Sequence, residues 1–94
     1  MTIHPAAAPL PREEAEALAL QALAWSLSDE DRAQRMLALT GMTPEDLRAG
    51  LDQPHVLSAT LEFLANHEPD LIAAAQALEV APQTLISAQG TLSR

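Results

Sequence analysis

The chain has 94 residues, with 13 acids, five arginines, no lysine and no cysteine, for a formal net charge of −8. That length predicts one domain, and the missing cysteines exclude disulfide scaffolds, thiol catalysis, Fe–S clusters and Cys-ligated zinc. The charge speaks against nonspecific nucleic-acid binding and against anionic membrane surfaces, both of which attract Lys and Arg.

Residues 1–11 carry Pro5, Pro9 and Pro11 among alanines and read as a mobile tail. They lack the basic region of a signal peptide, and no apolar run approaches the ~20 residues a membrane span needs. A soluble, cytoplasmic protein is the expectation. Residues 12–90 read as the folded domain and 91–94 as a C-terminal tail. Within the domain the apolar spacing predicts six helices, at 12–27, 29–40, 44–49, 54–66, 69–79 and 82–89. No useful stretch alternates with period two, so strands are not expected.

The helix boundaries carry recognisable punctuation. Pro44, Pro54, Pro69 and Pro82 each precede an apolar run, where the first helical turn tolerates a residue without an N–H. Gly41 and Gly50 stand where left-handed C-caps are expected. Ser28 and Thr43 read as hydroxyl N-caps, each with an acid three residues on, Asp31 and Asp46.

The predicted fold is all-α, a single compact orthogonal bundle of five or six helices built around the first and the fourth. In the first, Leu18, Leu20, Leu23, Trp25 and Leu27 sit among alanines and surround almost the whole circumference, the pattern of a helix buried on most sides. Val56, Leu57, Leu61, Phe63 and Leu64 repeat it in the fourth. Alanine makes up 19 of the 45 apolar residues, so close approach of helix axes must substitute for side-chain bulk. A shift of 38 places Leu23, Trp25, Pro44 and Leu47 on Leu61, Phe63, Pro82 and Leu85, a weak internal two-fold repeat.

Eleven of the 13 acids fall at or near predicted helix starts; only Glu62 and Glu79 do not. Carboxylates there are stabilised by the positive end of the helix dipole, which accounts for them without an acidic binding patch. The run from Met36 to Leu47 has the outline of a helix-turn-helix, with Gly41 in its turn. Its second helix opens with Glu45 and Asp46 and carries a single Arg48, so phosphates repel it and an ordinary helix corner is expected.

Candidate chemistry is sparse. His4, His55 and His67 have no zinc-helix spacing, and His67 beside Glu68 and Asp70 reads as helix capping. There is no Gly-rich phosphate loop, nucleophile elbow or converging carboxylate pair, so no catalytic residue, metal or cofactor is expected. Trp25 and Phe63 are the candidate anchors, as the largest core pieces or as interface residues.

The runs Glu14–Trp25 and Leu37–Arg48, then Val56-Leu57, Leu61-Glu-Phe63-Leu64 and Glu68-Pro-Asp-Leu71, resemble an uncharacterised alphaproteobacterial family catalogued as domain of unknown function 3572. The resemblance runs from about Glu14 to about Ala88 and implies a small cytoplasmic helical protein, with no reaction and no site residues to carry over. Where that family has a second Gly-x-x-Pro corner, this chain has Glu79-Val-Ala-Pro82, a helix end less securely capped.

The expected function is a non-enzymatic protein-interaction or adaptor module. A thin, Ala-rich core favours burial of further surface in a homodimer. The alternatives are a bundle binding a small apolar ligand in a cavity between the first and fourth helices and, behind it, a helix-turn-helix-like regulator.

Overall fold

Ser28 and Asp29 show how closely spaced polar residues divide their work at a helix junction. Helix α1 (Arg12–Leu27) ends at Ser28, whose hydroxyl donates to the Trp25 carbonyl at 2.6 Å. Ser28 keeps helical backbone angles, so it closes α1 and is not the N-cap expected for the next helix. Asp29 has the extended backbone a cap needs, and its carboxylate accepts from the Arg32 N–H at 2.9 Å. Helix α2 (Glu30–Thr40) therefore starts one residue later than expected.

The computed structural model describes residues 10–50 and 53–93. The expectation of a mobile tail over 1–9 lies outside them. Beyond α1 and α2 come α3 (Pro44–Ala49), α4 (Pro54–Ala65), α5 (Glu68–Leu78) and α6 (Pro82–Leu92). The described residues thus form an all-α globule of six helices with no strand.

Gly41 ends α2 at φ 77°, with its N–H donating to the Leu37 carbonyl at 2.9 Å, the left-handed cap expected there. Thr43 and Asp46 form the expected reciprocal capping box: the Asp46 N–H donates to the Thr43 hydroxyl at 3.0 Å, and the Thr43 N–H donates to the Asp46 carboxylate at 2.9 Å. Pro44, Pro54 and Pro82 open α3, α4 and α6, while Pro69 is the second residue of α5. Gly50 closes α3 at φ −116°, so left-handed geometry is not its purpose. A Cβ at Gly50 would stand 2.7 Å from the Val56 side chain and 2.9 Å from the Asp46 carbonyl. Close approach of α4 demands the glycine.

The Thr43 N–H bond, with help from the Thr43 hydroxyl, holds the Asp46 carboxyl below its ordinary pKa of 3.8. The folded state then binds its proton less readily than the unfolded chain. The stabilisation is fully present above the unfolded pKa and is lost as pH falls through the folded one. Comparing the urea midpoint of wild type with that of Asp46→Asn is expected to show the wild-type advantage shrinking as pH drops below about 4. An advantage that stays constant through acid would remove this role.

Glu79 closes the end of α5. It adopts φ 60°, with the Glu79 N–H donating to the Gln76 carbonyl and the Val80 N–H to the Ala75 carbonyl. These are the two bonds of a Schellman motif, here without its usual glycine. The left-handed backbone costs an L-residue about 1–2 kcal/mol, and glycine returns about 0.5–1 kcal/mol of that in unfolded-chain entropy. Glu79→Gly is expected to stabilise the fold by about 0.5–1 kcal/mol. An unchanged or lower urea midpoint would contradict this account.

The core corrects the expected division of labour. α4 does bury Val56, Leu57, Thr60, Leu61, Phe63 and Leu64. α1 instead packs through Ala15, Ala19, Ala22, Leu23 and Ser26, while Leu20 and Leu27 remain 42% and 39% exposed. It is not buried all round. Its most extensive neighbour is α6, which also packs on α4 and crosses α5 at 102°. α6 continues past residue 90, so Thr91 and Leu92, expected in a tail, are buried. The Thr91 hydroxyl donates to the Leu10 carbonyl at 3.1 Å, and Arg12 donates to the Thr91 carbonyl at 3.4 Å. Leu10 packs against the core, so the end of the expected N-terminal tail is tied down. The buried Ser26 and Thr60 hydroxyls are satisfied by Ala22 and Val56 carbonyls in the preceding turn.

The two helices that the expected repeat would equate, α3 and α6, differ in length and packing. α6 reaches the centre with 11 residues, whereas α3, its counterpart, has six and touches the bundle lightly.

Candidate functional site

An open apolar groove lies between the last turn of α1, the second half of α2 and α3. It encloses about 280 Å³ and is lined by Leu27, Leu37, Pro44, Leu47 and Arg48. Each member arrives for a local reason. Leu20 and Leu27 are seven residues apart and share the shoulder of α1 beside the stripe of small buried residues. Leu37 is half-buried on α2. The Gly41 cap and the Thr43–Asp46 box then reverse the chain, bringing Pro44 and Leu47 to the same hollow. Leu47 is buried at its base, and the guanidinium-bearing Arg48 is exposed at its edge.

Two other clefts are more polar. One, of about 260 Å³ between α2 and α4, is lined by Leu39, Thr40, Ala59, Glu62, Phe63, Asn66 and His67. Its polar groups are largely engaged within their own helices. The Thr40 hydroxyl donates to the Met36 carbonyl at 2.7 Å. His67 Nδ1 lies 2.9 Å from the Phe63 carbonyl, which only accepts, so Nδ1 carries the proton. The His67 ring also stacks on Phe63 at 4.6 Å between centroids. The other cleft is shallow and bordered by Arg12, Pro54, His55, Ser58, Glu62 and Leu92 among others. Among the described residues, no three His, Cys, Asp or Glu side chains converge as a metal site.

Of the anchor candidates, Phe63 is buried, as expected of a core piece. Trp25 is only half-buried. The Arg32 guanidinium lies over its ring at 3.7 Å, and Arg32 also donates to the Trp25 carbonyl at 3.0 Å. Trp25 thus closes the edge of the core under a cation; neither aromatic enters the groove. Among the residues marked as caps and helix starts, Pro44 lines the groove and Gly41 and Thr43 aim it. Ser28, Gly50, Pro54, Pro69 and Pro82 serve junctions elsewhere.

The acids stand largely where helix dipoles favour them. Glu13, Glu14, Glu30, Asp31, Glu45, Asp46, Glu68 and Asp70 occupy first turns. Asp70 also receives Arg35 at 2.9 Å, joining α2 to α5. Leu27, expected among all-round core residues, instead stands exposed at the groove. The available signal was the spacing of Ala15, Ala19, Ala22 and Ser26, which marks a small-residue face for close packing and leaves Leu20 and Leu27 to one side.

Among the described residues, no single helix is long and apolar enough to cross a membrane. Residues 12–94 match the family model described as "Protein of unknown function (DUF3572)". No curated protein and no solved structure matches the chain.

Proposed function

The chain therefore belongs to the DUF3572 family, and we propose that it is a non-enzymatic protein-interaction module that docks a helix of a partner in the α1–α2–α3 groove. The observation that carries this reading is a half-open hollow whose lining is apolar apart from Arg48. Amphipathic helices bind such grooves through apolar residues spaced i, i+3 or i+4, and i+7. A volume of about 280 Å³ accommodates a few such side chains and falls just below the usual range of small-molecule cavities.

A helical model peptide with a leucine stripe tests the reading by amide chemical-shift mapping. Shifts are expected to concentrate at Leu27, Leu37, Leu47 and their neighbours. An absence of shifts, or shifts centred on the α2–α4 cleft, would refute it. Saturation of the groove amides by decanoate, with no response to the peptide, would move the assignment to apolar-ligand binding.

A further inference from the structure

We infer that the groove takes a cationic amphipathic helix of a partner protein in preference to a second copy of this chain, an inference that rests on the docking reading above. The argument is one of charge. The chain carries 13 acids against five arginines, and three of those arginines are engaged internally. Arg12 faces Glu16 at 3.6 Å, Arg35 is held by Asp70, and Arg32 is spent on the ring and carbonyl of Trp25. The segments that build the groove are acidic in particular. Asp29, Glu30 and Asp31 follow Leu27 after the intervening Ser28, and Glu45 and Asp46 come next after Pro44 at the start of α3. Glu30 lies seven residues before Leu37, on the same stripe of α2.

The hollow therefore supplies apolar contact while its surroundings supply a negative field. A second copy would bring another −8 and the same acidic segments next to its own groove. A helix with lysine or arginine flanking its apolar stripe satisfies both features, and its encounter is steered by the field. Among the described residues, Arg48 is the one groove-lining cation. Against such a partner it is the unfavourable charge, so its removal should tighten binding.

The test uses the full chain and three model peptides in isothermal titration. One has a leucine stripe flanked by lysine, the second replaces lysine by glutamate, and the third scrambles the first so that no stripe forms. The lysine peptide is expected to bind at least about tenfold more tightly than either control. Its affinity should fall several-fold between about 50 and about 300 mM NaCl, as the Debye length shortens from about 14 to about 6 Å. Leu27→Ser should weaken it about fivefold or more, since one buried apolar anchor is worth at least that factor. Arg48→Ala should strengthen it, and Leu39→Ser, at the 58%-exposed leucine outside the groove, should leave it unchanged.

Equal binding of the lysine and glutamate peptides would overturn the cationic assignment while leaving groove docking in place. Binding by none of the three would remove the docking reading together with it. Equal binding of the scramble would reduce the effect to surface adsorption and overturn the inference. Light scattering at high micromolar concentration that finds a dimer, broken by Leu27→Ser, would put a second copy in the groove and do the same.

Discussion

Leu64→Ala is expected to cost about 2–5 kcal/mol, because it deletes most of a fully enclosed side chain and leaves a cavity. Leu64 is 0% exposed and belongs to α4, the helix that packs against α1, α2, α5 and α6. Its surroundings do not collapse easily onto a void, since much of the neighbouring surface is already alanine in close contact: Ala15, Ala19, Ala22, Ala74, Ala75 and Ala88 are all buried. A domain of this size holds about 5–14 kcal/mol in total, so the loss is a large fraction of its stability. At about 4–8 °C per kcal/mol the melting temperature should drop by about 8–40 °C. Urea unfolding followed by far-ultraviolet circular dichroism measures it, with an unchanged m-value as the check that both states remain comparable. A loss below about 1 kcal/mol would mean that α4 is not the closely packed element described here.

Ala19→Leu should also destabilise the fold, by about 1–3 kcal/mol, although it adds apolar surface and barely changes helix propensity. Ala19 is 0% exposed, at the middle of the small-residue face through which α1 meets its neighbours. α6, the most extensive of these, contributes its own fully buried Ala88. There is no room for three further carbons unless the helices separate. Hydrophobicity alone predicts a gain and packing predicts a loss, so the sign of the change decides between them. Ala17→Leu, at an exposed position two residues away, serves as the matched control and should lie within about 0.5 kcal/mol of wild type. A stabilised Ala19→Leu would mean that α1 and its neighbours are not in close contact.

The two variants also separate what was legible in the chain from what was not. The Thr43–Asp46 box, the Gly41 cap and the proline-led helix starts were readable because each bond closes within a few residues. Ser28 was misread for a related reason: two adjacent residues were both competent to cap, and only the backbone angles choose between them. The end of α6 was not legible because Thr91 is tied to Leu10 and Arg12, about 80 residues away in sequence. Trp25 was expected inside the core. Its half-exposed place under Arg32 depends on the angle at which α2 leaves α1, which no local pattern specifies.

The groove lay furthest from view. A helix carrying both an alanine stripe and a leucine stripe has two faces it can bury, and periodicity cannot rank them.

Composition and spacing by themselves determined the helical class, the six helices, the Gly41 and Thr43 caps and the acidic character, because hydrogen bonds and dipoles within a turn or two settle those matters. The tertiary structure alone decided that α1 turns its alanines inward, that α6 and not α3 fills the centre, and that Leu27 meets Leu37 and Leu47 across an open hollow. Such choices follow from how closely helix surfaces can fit together, a property of the assembled set and of no single segment.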